Sequence, residues 1–202
     1  MPSGRSKLAV PKPPSSFPPR KNAVKYVDYA LGRFVEQAKQ EEFWKDTIIV
    51  VVADHGARVY GSQTIPIRSY QIPFLVLGPA AVQKPERNKT LGCQLDVAPT
   101  ILGLIGRPYD TVFYGHDLRT VSAGEERVLL HHNRSVGIAR DDRLVAFSLN
   151  KVVEGFATDV ESGKLEKLPE LDPPSQALTD EATALFQTAD DLYTQRRYHV
   201  VP

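Results

Sequence analysis

Thr47-Ile48-Ile49-Val50-Val51-Val52-Ala53 runs without a charged residue into Asp54-His55-Gly56. The run is β-branched almost throughout. Such a run, bounded by turn residues, predicts a strand buried on both faces, the kind found in parallel sheets. Just upstream, residues 22–42 change texture. Val24, Val27, Leu31, Phe34, Val35 and Ala38 fall at helical spacing, with Lys25, Asp28, Arg33, Glu36 and Lys39 between them. That spacing predicts an amphipathic helix with one face on a core. A helix followed by a buried strand is half of a doubly wound α/β unit.

In open α/β sheets, ligands bind beyond the carboxyl ends of the strands. The strand therefore delivers Asp54 and His55 to the ligand edge, and Gly56 allows a sharp turn because it tolerates positive φ. A carboxylate beside an imidazole offers one hard oxygen and one borderline nitrogen, a pairing that suits Mn²⁺ or Zn²⁺. The same three residues also fit a plainer reading, with Asp54 capping the next segment and His55 a satisfied polar residue at a strand end.

Further along, Ile72-Pro73-Phe74-Leu75-Val76-Leu77 predicts a second strand, stopped by Gly78-Pro79. Residues 96–104 predict a helix, with Asp96 as its cap, Pro99 in its first turn and Gly106 beyond its end. After Gly124 short strands are expected at 127–131, 135–140 and 143–149, with Asp141-Asp142 as a hairpin turn. Residues 164–174 read as a Pro-rich connector and 179–197 as a closing helix. Residues 1–21 carry six prolines, at Pro2, Pro11, Pro13, Pro14, Pro18 and Pro19, and read as an extended segment. The expected organisation is thus 1–21 extended, 22–122 the C-terminal part of an α/β domain, and 123–202 a small β-rich subdomain with a terminal helix.

The bulk composition narrows the function classes. The chain has 202 residues, 42% hydrophobic and 24% charged, with a formal net charge of +1. A near-neutral balance argues against nucleic acid or an anionic membrane as the main partner. Cys93 is the single cysteine, so no internal disulfide forms. Its Gly92-Cys93-Gln94 setting reads as an ordinary thiol. No apolar run is long enough to span a bilayer. The basic N-terminal residues precede no apolar stretch, so no signal peptide is expected in this chain.

Four segments in order resemble the alkaline phosphatase/sulfatase superfamily, within it the sulfatase-like branch that includes lipoteichoic acid synthases and phosphoglycerol transferases. They are Ala23-Val24-Lys25-Tyr26-Val27-Asp28-Tyr29-Ala30, the 47–56 stretch, Gln71-Ile72-Pro73-Phe74-Leu75-Val76-Leu77-Gly78-Pro79, and Leu95-Asp96-Val97-Ala98-Pro99-Thr100-Ile101-Leu102-Gly103-Leu104-Ile105-Gly106 with its sequel Tyr114-Gly115-His116-Asp117-Leu118. The resemblance implies a metal-dependent hydrolase or transferase acting on phosphate or sulfate esters. It implies that Asp54 and His55 bind one divalent cation, Mn²⁺ before Mg²⁺, Ca²⁺ or Zn²⁺. The nucleophile of that family has no counterpart here, so this chain is expected to carry only the C-terminal part of the active site. Arg58, Arg68 and His116 are the candidate substrate contacts. The expected partners are the ester substrate and an N-terminal half or a second copy. The family setting implied is a bacterial inner-membrane protein with an external catalytic domain. The alternative is a non-catalytic remnant or interaction module of the same fold.

Overall fold

The computed structural model describes residues 19–56 and 63–198. In order, they form helix α1 (Pro19–Ala38), strand β1 (Ile49–Val52), strand β2 (Phe74–Leu77) and helix α2 (Val97–Ile105), then strands β3 (Val128–His132), β4 (Ser135–Arg140), β5 (Arg143–Ser148), β6 (Val152–Asp159) and β7 (Lys164–Lys167), and helix α3 (Pro173–Thr194). The chain divides into two units, Met1–Ile49 with Leu77–Gln83, and Val50–Val76 with Lys84–Pro202.

In the first unit α1 begins at Pro19 rather than near Asn22. A proline costs no hydrogen bond there, because the first N–H groups of a helix have no partner within it. The expected packing of its apolar stripe is not seen. Val24 and Val27 are 69% and 63% exposed, and in that stripe only Ala38 is buried. Gly78 closes the unit around Thr47. It holds φ at +113°, and a Cβ there would strike the Thr47 carbonyl oxygen, so only glycine fits.

β1 and β2 pair as a two-stranded sheet. Both are shorter than their apolar runs and half-buried, with Val52 and Leu75 exposed, where full burial was expected. α2 follows the sequence closely, with Pro99 in its first turn and Gly106 in the left-handed conformation at its end. Asp96, expected to cap it, makes no cap bond to the helix. Its carboxylate accepts instead from Cys93 N at 2.6 Å and His116 N at 2.7 Å. The residue is 3% exposed. It fastens the loop before α2 to the loop after it, and two backbone N–H donors compensate a buried carboxylate well.

The second unit is built on a five-stranded antiparallel sheet in the order β3-β4-β5-β6-β7. Asp141, at φ 51°, makes the β4–β5 turn as expected. β6 and β7 correct the sequence reading, which left 152–159 unassigned and made 164–174 a connector. Gly155 interrupts β6, and glycine weakens a strand pattern. Here it leaves the space that Leu171 and Leu168 fill. β7 is Lys-Leu-Glu-Lys at the sheet edge, and charge is how natural edges avoid pairing.

α3 also starts earlier than expected, at Pro173 rather than 179. Asp172 caps it by accepting from Ser175 N at 3.1 Å, and Pro173 and Pro174 occupy the first turn, where missing N–H groups cost nothing. The proline pair was read as connector when it marks a helix start.

Side chains alternate across the sheet with period two. Ile138 and Val145 turn to α3, where Leu178 and Ala182 meet them. Ala139, Leu144, Ala146, Val128, Leu130 and Phe156 turn to the other face, onto which Ile65 and Ile67 pack. Those two isoleucines belong to the segment between the Asp54-His55-Gly56 turn and β2. Ile65 is fully buried, and Gly137 leaves the slot its Cδ1 occupies.

Candidate metal centre

β1 ends at Val52 and the chain turns at once. Ala53 N donates to Pro73 O at 3.3 Å, and Gly56 N donates to Ser69 O at 3.1 Å. The turn is thereby tied at both ends to the segment that leads into β2. Gly56 is required by this close approach. A Cβ on it would collide with Ser69 O and lie 2.9 Å from Gln71 O. Its φ is not positive, so the sequence reading had the right residue for a different reason.

Asp54 Oδ1 accepts from His55 N at 2.9 Å and lies 3.9 Å from His55 Nε2. His55 Nδ1 lies 2.9 Å from Gly56 O. A carbonyl only accepts, so Nδ1 carries a proton, and in the neutral ring the lone pair is then on Nε2. This is the arrangement in which metal-binding histidines are usually oriented, one nitrogen tied to a carbonyl and the other left as ligand. Both side chains are open to solvent, Asp54 at 90% and His55 at 76%. A carboxylate oxygen and an imidazole nitrogen on one side of a turn fit a divalent cation of the Mn²⁺ or Zn²⁺ type. Among the described residues no third His, Cys, Asp or Glu joins them in a metal-holding group.

One side chain at this turn was not anticipated. Gln94 Nε2 donates to Ala53 O at 2.9 Å and to Asp54 O at 2.8 Å. Nothing in the local sequence signals it, because its partners are carbonyls some forty residues away.

Residues 63–71, which hold the far end of the turn, are anchored to the sheet. Beyond Ile65 and Ile67, Tyr70 OH donates to His131 O and lies 2.9 Å from His132 Nδ1. The phenol has a single proton, so His132 Nδ1–H donates back to it. Gln71 Nε2 donates to Val160 O at 2.7 Å and Glu161 O at 3.0 Å, and Thr64 Oγ1 to Glu154 at 3.1 Å. Glu154 sits below the usual carboxylate range because of its bond to Lys167 and, secondarily, to Thr64.

The candidate substrate contacts are placed unevenly. Arg58 lies outside the described residues. Arg68 is exposed, and its aliphatic stem fills the space over Gly163. His116 Nε2 accepts from Arg127 Nη1 at 2.9 Å, and Arg127 also reaches Tyr114 O and Glu181. One ring nitrogen of His116 is therefore already engaged. Cys93 is half-buried, and burial pushes its thiol pKa up, away from nucleophilic character.

The sulfatase family model matches residues 5–107, from before α1 to just past α2. The chain belongs to the sulfatase family. This sulfatase chain is 34% identical over 90 residues to an endo-4-O-sulfatase of Bacteroides thetaiotaomicron, a match covering 42% of the chain and 18% of that protein. It is 29% identical over 111 residues to the lipoteichoic acid synthase-like protein YvgJ of Bacillus subtilis, covering 47% of the chain and 18% of that protein. Its fold matches a crystal structure of a protein in the alkaline phosphatase superfamily from Vibrio parahaemolyticus, with a TM-score of 0.82 and 32% identity over all of this chain and 47% of that one. The chain thus spans under a fifth of the two curated relatives and about half of the solved one. Among the described residues no helix is long and apolar enough to cross a membrane.

Proposed function

We propose that Asp54 and His55 are two protein ligands of one divalent cation, Mn²⁺ by preference, and that the sulfatase fold they sit on serves chemistry on phosphate or sulfate esters. The observation that carries this reading is the convergence of Asp54 Oδ1 and His55 Nε2 to 3.9 Å on the exposed side of a turn at the end of β1. Such a cation would supply Lewis acidity toward an ester oxygen.

The chain's own residues do the rest of what is proposed. Asp54 contributes charge, which makes the position attractive to a cation. His55 contributes a nitrogen whose tautomer Gly56 O fixes. Arg58 and Arg68 are the guanidinium candidates for an ester's equatorial oxygens, a bidentate task that suits arginine. His116 is the third candidate contact. Two ligands fall short of the usual four positions, so binding by these residues alone is expected to be weak. Similarity to a lipoteichoic acid synthase-like relative supports a cell-envelope setting.

Titration calorimetry with Mn²⁺ tests the ligand assignment, with Mg²⁺, Ca²⁺ and Zn²⁺ as comparisons. A single site whose affinity drops at least tenfold in both Asp54→Ala and His55→Ala is expected, since each removes a direct ligand. Affinity untouched by either substitution rules the assignment out. A chromogenic phosphodiester and an aryl sulfate, assayed in parallel, test the ester chemistry, and the expected outcome for this chain by itself is no turnover.

A further inference from the structure

Around the ligand pair each peptide unit from Ala53 to Gly56 has at least one bonded group, and one of the partners is a distant side chain. The peptide joining Asp54 to His55 is the decisive one. Its N–H is taken by the Asp54 carboxylate at 2.9 Å, and its C=O by Gln94 Nε2 at 2.8 Å. The same amide holds the preceding carbonyl, Ala53 O, at 2.9 Å. With both ends of that peptide fixed, the plane from which Asp54 and His55 project cannot rotate freely.

We infer that Gln94 is a positioning residue for the Asp54–His55 pair, aiming the carboxylate and His55 Nε2 at a common point. The inference rests on the ligand reading above and extends it to a residue outside the Asp-His-Gly turn. The chemistry of the side chain favours it. Holding two carbonyls takes two donors, and a carboxamide NH₂ supplies two. Lysine or arginine could also donate twice, but each would place a positive charge beside a site meant for a cation, at Coulombic cost. A neutral amide fixes the backbone without that repulsion. Gln94 is itself exposed, so its two hydrogen bonds contribute little to global stability and their effect is local.

The test compares Gln94→Met, which keeps length and neutrality but has no donor, with the unaltered chain. Two readouts are taken. In metal-free protein, the amide signals of Asp54 and His55 and the ring nitrogen signals of His55 are followed by NMR. In the second, the Mn²⁺ dissociation constant is measured beside the urea midpoint. The expected result is a shift of the Asp54 and His55 signals, an about tenfold weaker Mn²⁺ constant, and an unchanged midpoint. Gln94→Lys keeps the donors, so its metal-free signals should return to those of the unaltered chain. Signals at Asp54 and His55 that stay put in Gln94→Met, or a lowered midpoint without a local shift, overturn the inference. If instead the unaltered chain shows no Mn²⁺ binding sensitive to Asp54→Ala, the ligand reading fails, while shifted metal-free signals still establish that Gln94 sets the turn.

Discussion

Gly56 shows how a single residue can be legible for the wrong reason. Its place after Asp54-His55 marked it as necessary from sequence, on the ground of backbone freedom. What forbids a side chain is the approach of Ser69 O and Gln71 O from a segment that sequence cannot fold into place. Gly56→Ala should therefore push that segment away, costing about 1–3 kcal/mol as an overpacking change, and should weaken Mn²⁺ binding along with stability. Urea unfolding and calorimetry on one sample check both, and unchanged values in each contradict the packing account. Asp96 follows the same pattern. Its identity suggested a helix cap, but its buried carboxylate bonds the N–H groups of Cys93 and His116 instead. Gln94 was not legible at all, because a residue whose task is to hold carbonyls far along the chain leaves no periodic or neighbouring trace.

At the scale of elements, the sequence was most readable where local chemistry decides structure. α2, β4, β5 and the Asp141 turn lie where hydrophobic period and turn residues put them. β6 and β7 were missed because one carries an interior glycine and the other is a charged edge, features meaningful only once neighbours are known. The start of α3 was missed at Pro173-Pro174, yet the cap beneath it has a measurable consequence. Hydrogen bonding from Ser175, then from Arg143, holds the Asp172 carboxyl down to about 2 from its ordinary 3.8. A carboxyl depressed in the folded state stabilises the fold above its unfolded pKa and ceases to do so as pH falls toward the folded one. The contribution of Asp172 should therefore be complete above about pH 5 and disappear between there and about pH 2. Asp172→Asn should lower stability at pH 7 and flatten the acid limb of the stability curve in that window. An acid limb identical to that of the unaltered chain refutes this assignment.

The whole molecule combines a well-buried second unit with a first unit whose helix shows much of its apolar stripe. Val24, Val27 and Phe34 remain exposed on α1. Exposed apolar surface of this kind promotes association. Light scattering should find an average mass that rises with concentration, and Val27→Glu should reduce the rise. A constant monomer mass at all concentrations counts against it. The α/β class and the β-rich end were readable from sequence, because both rest on alternation and run length. The exposure of α1 was not, since an amphipathic pattern says which face is apolar and not whether anything covers it.

Ile65 sits within the sheet's core, in the slot left by Gly137, a few residues from the backbone that receives the Gly56 N–H. Through Ser69 O the turn carrying Asp54 and His55 is tied to a segment anchored in that core, so it is expected to open when the sheet opens. Hydrogen exchange gives this a measurable form. The Gly56 amide, though it directly follows the exposed Asp54 and His55, should exchange with the same denaturant dependence as Ile138 and Val145 deep in β4 and β5, as members of one cooperative unit do. Ile65→Ala should cost about 2–5 kcal/mol and release Gly56 first, so that its exchange becomes faster and independent of denaturant while the strands remain protected. A turn that inherits its lifetime from the sheet it is tied to would retain its geometry through brief fluctuations and lose it only in the rare events that undo the sheet.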